Sequence, residues 1–370
     1  MNSIVQHILL FLQISLTSGC IFCWIVYEIF LNEHDLPGKK YSGCGFMTCV
    51  VTYIVSSIAF HVKLLSVFMS KFSFRAISIA ASAVFIAGLA SAIIGGMYIP
   101  EMLFLSEILL SSSGALLYVM QFSLYDSFKY HAVIVSVGFA TSTLLFQVVN
   151  VMSYFWIQLV IWMVLVLTTT LFYNPVYDHL SNHQSTLQVL KEAFGHKQLY
   201  ALYTNALFSM SFKCYYTNSY YQRLQRLNID PPTMSLIFSL SGFSSVAAGF
   251  LNVNLNVAHV LFSAMTISFA VMVLIIENQV TISVNLFLMN ISSTGIITSA
   301  LSICGETNFE ASSFVYFAML VGDMVGFVPY SRTSDQVLAS ISAVMHICVC
   351  VYLVINSKKK SQRGYQAIEQ

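Results

Sequence analysis

Charge is what this sequence has least of. Of its 370 residues, 8% are Asp, Glu, Lys or Arg and 57% are apolar, whereas an ordinary soluble domain carries about 25% charged residues. That balance excludes a soluble globular protein. Glycine (17) and proline (6) are scarce as well, about 6% of the chain against about 12% on average, and few positions are left to serve as hinges. The formal net charge is +1 and the basic residues are scattered, which excludes a nucleic-acid partner. The eight cysteines lie mostly within apolar runs. Cys20 and Cys23, Cys44 and Cys49, and Cys348 and Cys350 therefore read as small apolar residues. No metal site is expected, because no second pair stands at zinc spacing in an aqueous loop.

The apolar residues fall into runs of roughly 20, each long enough to cross a hydrocarbon core about 30 Å thick. Twelve spans are predicted: 8–30, 43–67, 74–97, 102–124, 131–152, 155–173, 199–221, 233–253, 258–276, 280–303, 309–328 and 336–355. The expected fold is an all-α polytopic membrane protein with twelve transmembrane helices in a 6+6, transporter-like arrangement. Residues 1–173 form an N-terminal six-helix bundle, 174–198 a cytosolic linker, 199–356 a C-terminal six-helix bundle and 357–370 a basic tail. The linker holds a short amphipathic stretch, 186–194, with Leu187, Leu190 and Phe194 on one face. The first span is too long for a cleaved signal peptide and is read as helix 1.

Lysine and arginine set the orientation. Lys63, Lys71, Arg75, Lys129, Lys191, Lys197, Lys358, Lys359, Lys360 and Arg363 fall on the side of both termini. Only half as many, Lys39, Lys40, Arg223, Arg226 and Arg332, fall on the other. Both termini are therefore expected in the cytosol. The sequon at Asn290 lies inside a span and is not expected to carry a glycan.

Ionisable side chains inside a bilayer are costly and mark function unless they reach water or a partner. Glu107 lies in span 4, Lys213 in span 7, Asp323 in span 11, and Glu28 closes span 1. Glu107, Lys213 and Asp323 are the substrate-cavity candidates, with Glu107 and Lys213 expected to pair. The plainer reading is that Glu28 and Glu107 reach an interface and that Lys213 snorkels. His61, His259 and His346 are expected to be satisfied locally, and His179 and His183 to be exposed. Tyr215, Tyr216, Tyr220 and Tyr221 cluster at the outer end of span 7, as in an interfacial aromatic belt. No serine-hydrolase elbow, zinc-protease motif, P-loop or dinucleotide fingerprint is present. Neither enzymatic activity nor a cofactor is expected.

The tail carries two signals. Lys358, Lys359 and Lys360 form an anionic-lipid patch next to the bilayer. Gly364, Tyr365 and Ile368 resemble the tyrosine-based sorting signal that clathrin adaptors read as an extended peptide, which implies a eukaryotic host cell.

The layout resembles the major facilitator and equilibrative nucleoside transporter architectures. Facilitators place a Gly, Asp-Arg and basic cluster between spans 2 and 3. Here that connection, 69–75, keeps Lys71 and Arg75 but no acid, and the connection 252–256 has no charge at all. Amino-acid and nucleobase carriers of the large-neutral type are similar in span spacing. The polar loop after span 1, the central stretch with Leu190, Lys191 and Glu192, and the short basic tail resemble the multi-span envelope protein family of herpesviruses, especially gammaherpesviruses. That resemblance implies a place in the virion envelope and in host plasma and endosomal membranes. It also implies a role in spread between cells with a single-span viral glycoprotein. Some relatives reach integrins through Arg-Gly-Asp; here the only Arg-Gly is Arg363-Gly364, followed by Tyr365 on the cytosolic side. Two functions follow: a virus-encoded scaffold for trafficking and partner binding, or an active secondary transporter of a small polar solute such as an amino acid or nucleoside.

Overall fold

The structure is a computed structural model describing residues 72–124, 151–172, 197–249, 255–275, 278–307, 309–328 and 330–368. It also describes 34–41 and single or short positions among 12–51 and 134–149. Most of predicted spans 1, 2 and 5, most of the central linker, and Glu28, His61, His179 and His183 lie outside the described residues.

Among the described residues the chain is helical throughout. After a 3-10 turn at Pro37–Tyr41 come α1 (Phe74–Met97), α2 (Glu101–Leu124), α3 (Val151–Phe172), α4 (Lys197–Arg226) and α5 (Pro231–Ser244). They are followed by α6 (Val246–Gly249), α7 (Leu255–Ile275), α8 (Gln279–Thr307), α9 (Phe309–Gly326) and α10 (Arg332–Ile368). Four stretches, within α1, α7, α8 and α10, are long and apolar enough to cross a membrane. Nine predicted spans meet helices here or in part; span 8 is divided at Ser245 into α5 and α6.

Helix starts follow local chemistry. Ser73 Oγ accepts from the Ala76 amide at 3.2 Å, Asn278 Oδ1 from Thr281 at 2.8 Å and Ser331 Oγ from Ser334 at 3.0 Å. These are the short polar side chains that satisfy orphan first-turn donors. Asp230 Oδ2 accepts from the Thr233 amide at 2.9 Å, with Pro231 at the first helical position, where its missing N–H loses nothing. The Thr233 hydrogen bonds hold the Asp230 carboxyl below its ordinary pKa. Just before it, Asn228 takes a left-handed φ of 56° and ends α4 as a C-terminal cap. Pro100 separates α1 from α2.

The chain divides into two compact units, Met1–Thr186 with Asp230–Phe243, and Leu187–Ile229 with Ser244–Gln370. In the first, α1 and α2 pack backbone to backbone at glycine. A Cβ on Gly95 would stand 2.6 Å from the Leu103 amide nitrogen, and one on Gly88 3.0 Å from that of Leu110. Ser106 Oγ donates to the Gly88 carbonyl at 2.9 Å across the same seam. An aromatic core backs it: Phe85 lies 4.6 Å from Trp162, and Tyr27 4.7 Å from Phe155. Tyr27 also donates its hydroxyl to the Ala92 carbonyl at 2.8 Å.

Hydroxyl-rich helices survive in so apolar a chain because their Ser and Thr donate to their own preceding turn, as Ser91 does to Ala87, Ser263 to His259 and Thr266 to Phe262. The outward faces are apolar instead. On α10, Val337, Ile341, Val344, Ile347, Val351 and Val354 are exposed at steps of three and four, a stripe suited to lipid.

The backbone of α10 continues to Ile368, so the tail segment Gly364, Tyr365 and Ile368 is helical where the sequence suggests an extended peptide. The run after Ile355 is rich in Lys, Gln and Arg, residues that propagate a helix already nucleated by span 12.

Candidate functional site

The second unit carries three levels of buried polar groups, all touching α4. Asn205, Lys213 and Arg223 are spaced eight and ten residues apart, which is about 12 Å and 15 Å along a helix rising 1.5 Å per residue.

At the first level, Asn205 Nδ2 lies 2.8 Å from His259 Nε2 and 2.7 Å from Ser263 Oγ. His259 Nδ1 lies 2.7 Å from Ser299 Oγ. Proton directions follow from the serines. Ser263 donates to the His259 carbonyl and Ser299 to the Gly295 carbonyl, so each must accept from its other neighbour. His259 is thus neutral, with its proton on Nδ1 and its Nε2 lone pair filled by Asn205. His346 of α10 bonds through Nδ1 to the Ser342 carbonyl at 2.7 Å. His259 is satisfied at both ring nitrogens, whereas His346 Nε2 has no hydrogen-bond partner among the described residues.

At the second level stand Lys213 of α4 and Asp323 of α9. Asp323 is 5% exposed and its Oδ2 has no hydrogen-bond partner among the described residues. The two carry opposite charges, yet among the described residues they do not meet as a direct ion pair. Burial of an ionised carboxylate without hydrogen bonds is expensive, which makes this the group in the unit most in need of a partner. Glu107, the third candidate, is buried on α2 of the first unit at 1% exposure.

At the third level Arg223 and Asp335 form a buried ion pair joining α4 to α10, at 2% and 5% exposure. Ser219 Oγ accepts from Arg223 Nε at 3.0 Å, and Tyr215 donates its hydroxyl to Asp335 at 2.9 Å. The guanidinium lies 4.7 Å from the Tyr216 ring centre and 4.6 Å from that of Tyr330, whose ring also meets Arg226 at 4.5 Å. This corrects two expectations. Arg223 belongs to α4 and not to an outer loop. Tyr215, Tyr216 and Tyr220 are buried at 1% exposure or less and do not form an interfacial belt. The polar residues after Tyr221 make the span look finished there, yet the charge of Arg223 is matched inside the unit by Asp335.

Sequence reasoning missed the partners of His259 and Arg223, since Asn205, Ser299 and Asp335 are remote in sequence and unremarkable alone. The early acid Asp335 beside the cap Ser331 is the one local signal, as acids favour a first turn. Glycines of this unit are used in packing. Gly322 packs on Leu207, Met210 and Ser211, and Gly326 on Ser211, Cys214 and Tyr215, which is the close approach that small residues four apart permit between membrane helices. Gly295 packs on the Phe262 ring. Among the described residues no three His, Cys, Asp or Glu side chains are grouped to hold a metal.

This architecture is that of known transporters. The chain is similar to the crystal structure of the human organic anion transporter MFSD10 (TETRAN), with a TM-score of 0.69 over 93% of this chain and 98% of that one, at 11% identity. It is also similar to the crystal structure of a point variant of the nucleoside transporter NupG, with a TM-score of 0.61 over 94% and 99%, at 14% identity. The chain therefore shares the all-helical fold of these two transporters. No protein-family profile matches the sequence, and no curated protein matches it.

Proposed function

We propose that the chain is a secondary carrier of a small polar solute, with Lys213 and Asp323 as the polar groups that meet it. The observation that carries this reading is the unpaired juxtaposition of these two charges. A purely structural pair would close into a direct, hydrogen-bonded contact, as Arg223 and Asp335 do, because that is how burial of charge is offset. Likeness in fold to an organic anion transporter and a nucleoside transporter supports it. The test is uptake into proteoliposomes of amino acids, nucleosides and organic anions. Saturable uptake lost in Asp323→Asn supports the carrier, and absence of uptake across the panel refutes it.

A second reading is favoured by the glycines. Gly322 and Gly326 are occupied in packing, which suits a transporter-shaped scaffold that no longer rocks. On that reading the chain is a virus-encoded protein of the virion envelope and host plasma and endosomal membranes, with both termini cytosolic. It would aid spread between cells with a single-span viral glycoprotein, hold anionic lipid through Lys358, Lys359 and Lys360, and be sorted by clathrin adaptors through Gly364, Tyr365 and Ile368. Affinity capture from infected cells tests it, and failure to recover a single-span glycoprotein counts against it.

A further inference from the structure

The side on which Lys213 and Asp323 emerge can be derived from the glycine seam. Gly322 faces Leu207, Met210 and Ser211, and Gly326, one turn later, faces Ser211, Cys214 and Tyr215. The contacts climb both helices in the same direction, so α4 and α9 run parallel. At 3.6 residues per turn, Asp323 lies about 80° round α9 from the glycine face, and Lys213 about 130° round α4 in the opposite sense. Opposite rotations on two parallel, facing helices point to the same side of the seam. The register puts Lys213 about 4.5 Å further along than the level of Asp323, and a helical side chain leans back toward its N-terminus, here toward the carboxylate.

A third element meets this seam. α8 packs against both α4 and α9, and Tyr216 donates its hydroxyl to the Ile282 carbonyl at 3.2 Å. One turn from Ile282 on α8, Asn285 is 2% exposed, and its Oδ1 has no partner among the described residues. A half-buried cation on α4, a buried anion on α9 and a buried acceptor on α8 thus stand in one unit. Among the described residues neither Asp323 Oδ2 nor Asn285 Oδ1 has a hydrogen-bond partner.

We propose that Lys213 and Asp323 form a subsite for a zwitterionic amino acid, its carboxylate on Lys213 and its ammonium on Asp323, with Asn285 Oδ1 as a further acceptor for the ammonium. This inference rests on the carrier reading and narrows it. A zwitterion brings both charges that the separated pair lacks and leaves the site neutral. A singly charged solute leaves one protein charge buried and unmatched, the costly arrangement in a bilayer. A neutral nucleoside matches neither.

The test uses the full chain in lipid nanodiscs, with binding followed by calorimetry for a panel from glycine to leucine and phenylalanine. Each amino acid is compared with its amide, which keeps only the positive end, and its N-acetyl form, which keeps only the negative one. At least one zwitterion is expected to bind, with its amide and N-acetyl form weaker by about tenfold or more, a difference of about 1.4 kcal/mol. Lys213→Met and Asp323→Asn are each expected to lose that binding, and the double exchange Lys213→Asp with Asp323→Lys to recover it, which separates loss of charge matching from misfolding. The proposal is overturned if no member of the panel binds, if the amide binds as well as its parent, or if the double exchange is folded and does not bind. Counterflow in proteoliposomes reports on the carrier separately. A zwitterion that binds but is not exchanged leaves the subsite standing and ends the carrier reading. Exchange of uridine without zwitterion binding does the reverse.

Discussion

Arg223 and Asp335, 112 positions apart in the chain, hold α4 to α10 through a buried ion pair. Both partners are held by further contacts: Ser219 and two tyrosine rings lie against the guanidinium, and Tyr215 donates to the carboxylate. Removing one partner leaves the other charge buried alone, which costs about 3–5 kcal/mol. Arg223→Leu and Asp335→Asn are therefore each expected to destabilise the protein by that order. The joint replacement Arg223→Met with Asp335→Leu is expected to be far milder than the sum. Thermal or denaturant unfolding in detergent measures it. Additive losses would mean that the pair contributes little as a unit.

The glycine seam gives a test that separates packing from hinging. A Cβ at Gly326 would stand 2.7 Å from that of Cys214, and one at Gly322 3.0 Å from that of Met210. Gly326→Ala and Gly322→Ala are expected to destabilise by about 1–3 kcal/mol, the range for overpacking. Hinge glycines behave differently: alanine there leaves the melting temperature near wild type and slows exchange of solute. A stable but slow Gly322→Ala variant would restore the hinge reading.

At His259 the hydrogen bonds run in one direction, from Asn205 into the ring and from the ring into Ser299. Asn205→Leu empties the Nε2 lone pair of its donor, and Ser299→Ala strands the Nδ1 proton. Each is expected to cost about 1–3 kcal/mol, the desolvation penalty of a buried group left unmade. Asn205→Leu combined with His259→Phe removes both ends and is expected to recover part of the loss. A coupling energy below about 0.5 kcal/mol in the double-mutant cycle would show the groups to be independent.

The helices were legible where length and hydropathy alone decide them. Span 74–97 coincides with α1 residue for residue, and spans 102–124, 258–276 and 280–303 fall within a few residues of α2, α7 and α8. What misled the reading was polarity at span ends. Arg223 and Asp335 look like loop residues because each is charged, and the pairing that buries them is a tertiary fact with no local trace. Tyr215 and Tyr216 were read as a belt for the same reason, since position in a span does not reveal which face is turned to lipid. Lys213 and Asp323 stood out because an ionisable residue in an apolar run needs an explanation wherever the chain goes. The glycine spacing of 322 and 326 was visible too, but a pair of small residues four apart serves as seam or hinge until the opposing helix is seen.

The tail offers a last test, in which helix and signal compete. α10 runs on to Ile368, while adaptors take tyrosine signals as extended peptides, so on the proposed sorting role recognition of Tyr365 requires the last turns to unwind. Gly364 lowers the cost of that step, since glycine within a helix is less stable than alanine by about 0.5–1 kcal/mol. Gly364→Ala is expected to slow internalisation by about two- to fivefold, the change that free energy implies at tenfold per 1.4 kcal/mol. Tyr365→Ala is expected to abolish it and raise the amount at the cell surface. Antibody uptake by a tagged outer loop reads both. If Gly364→Ala is internalised at the wild-type rate while Tyr365→Ala is not, helix unwinding does not limit recognition. If neither changes, the tail is not a sorting signal at all.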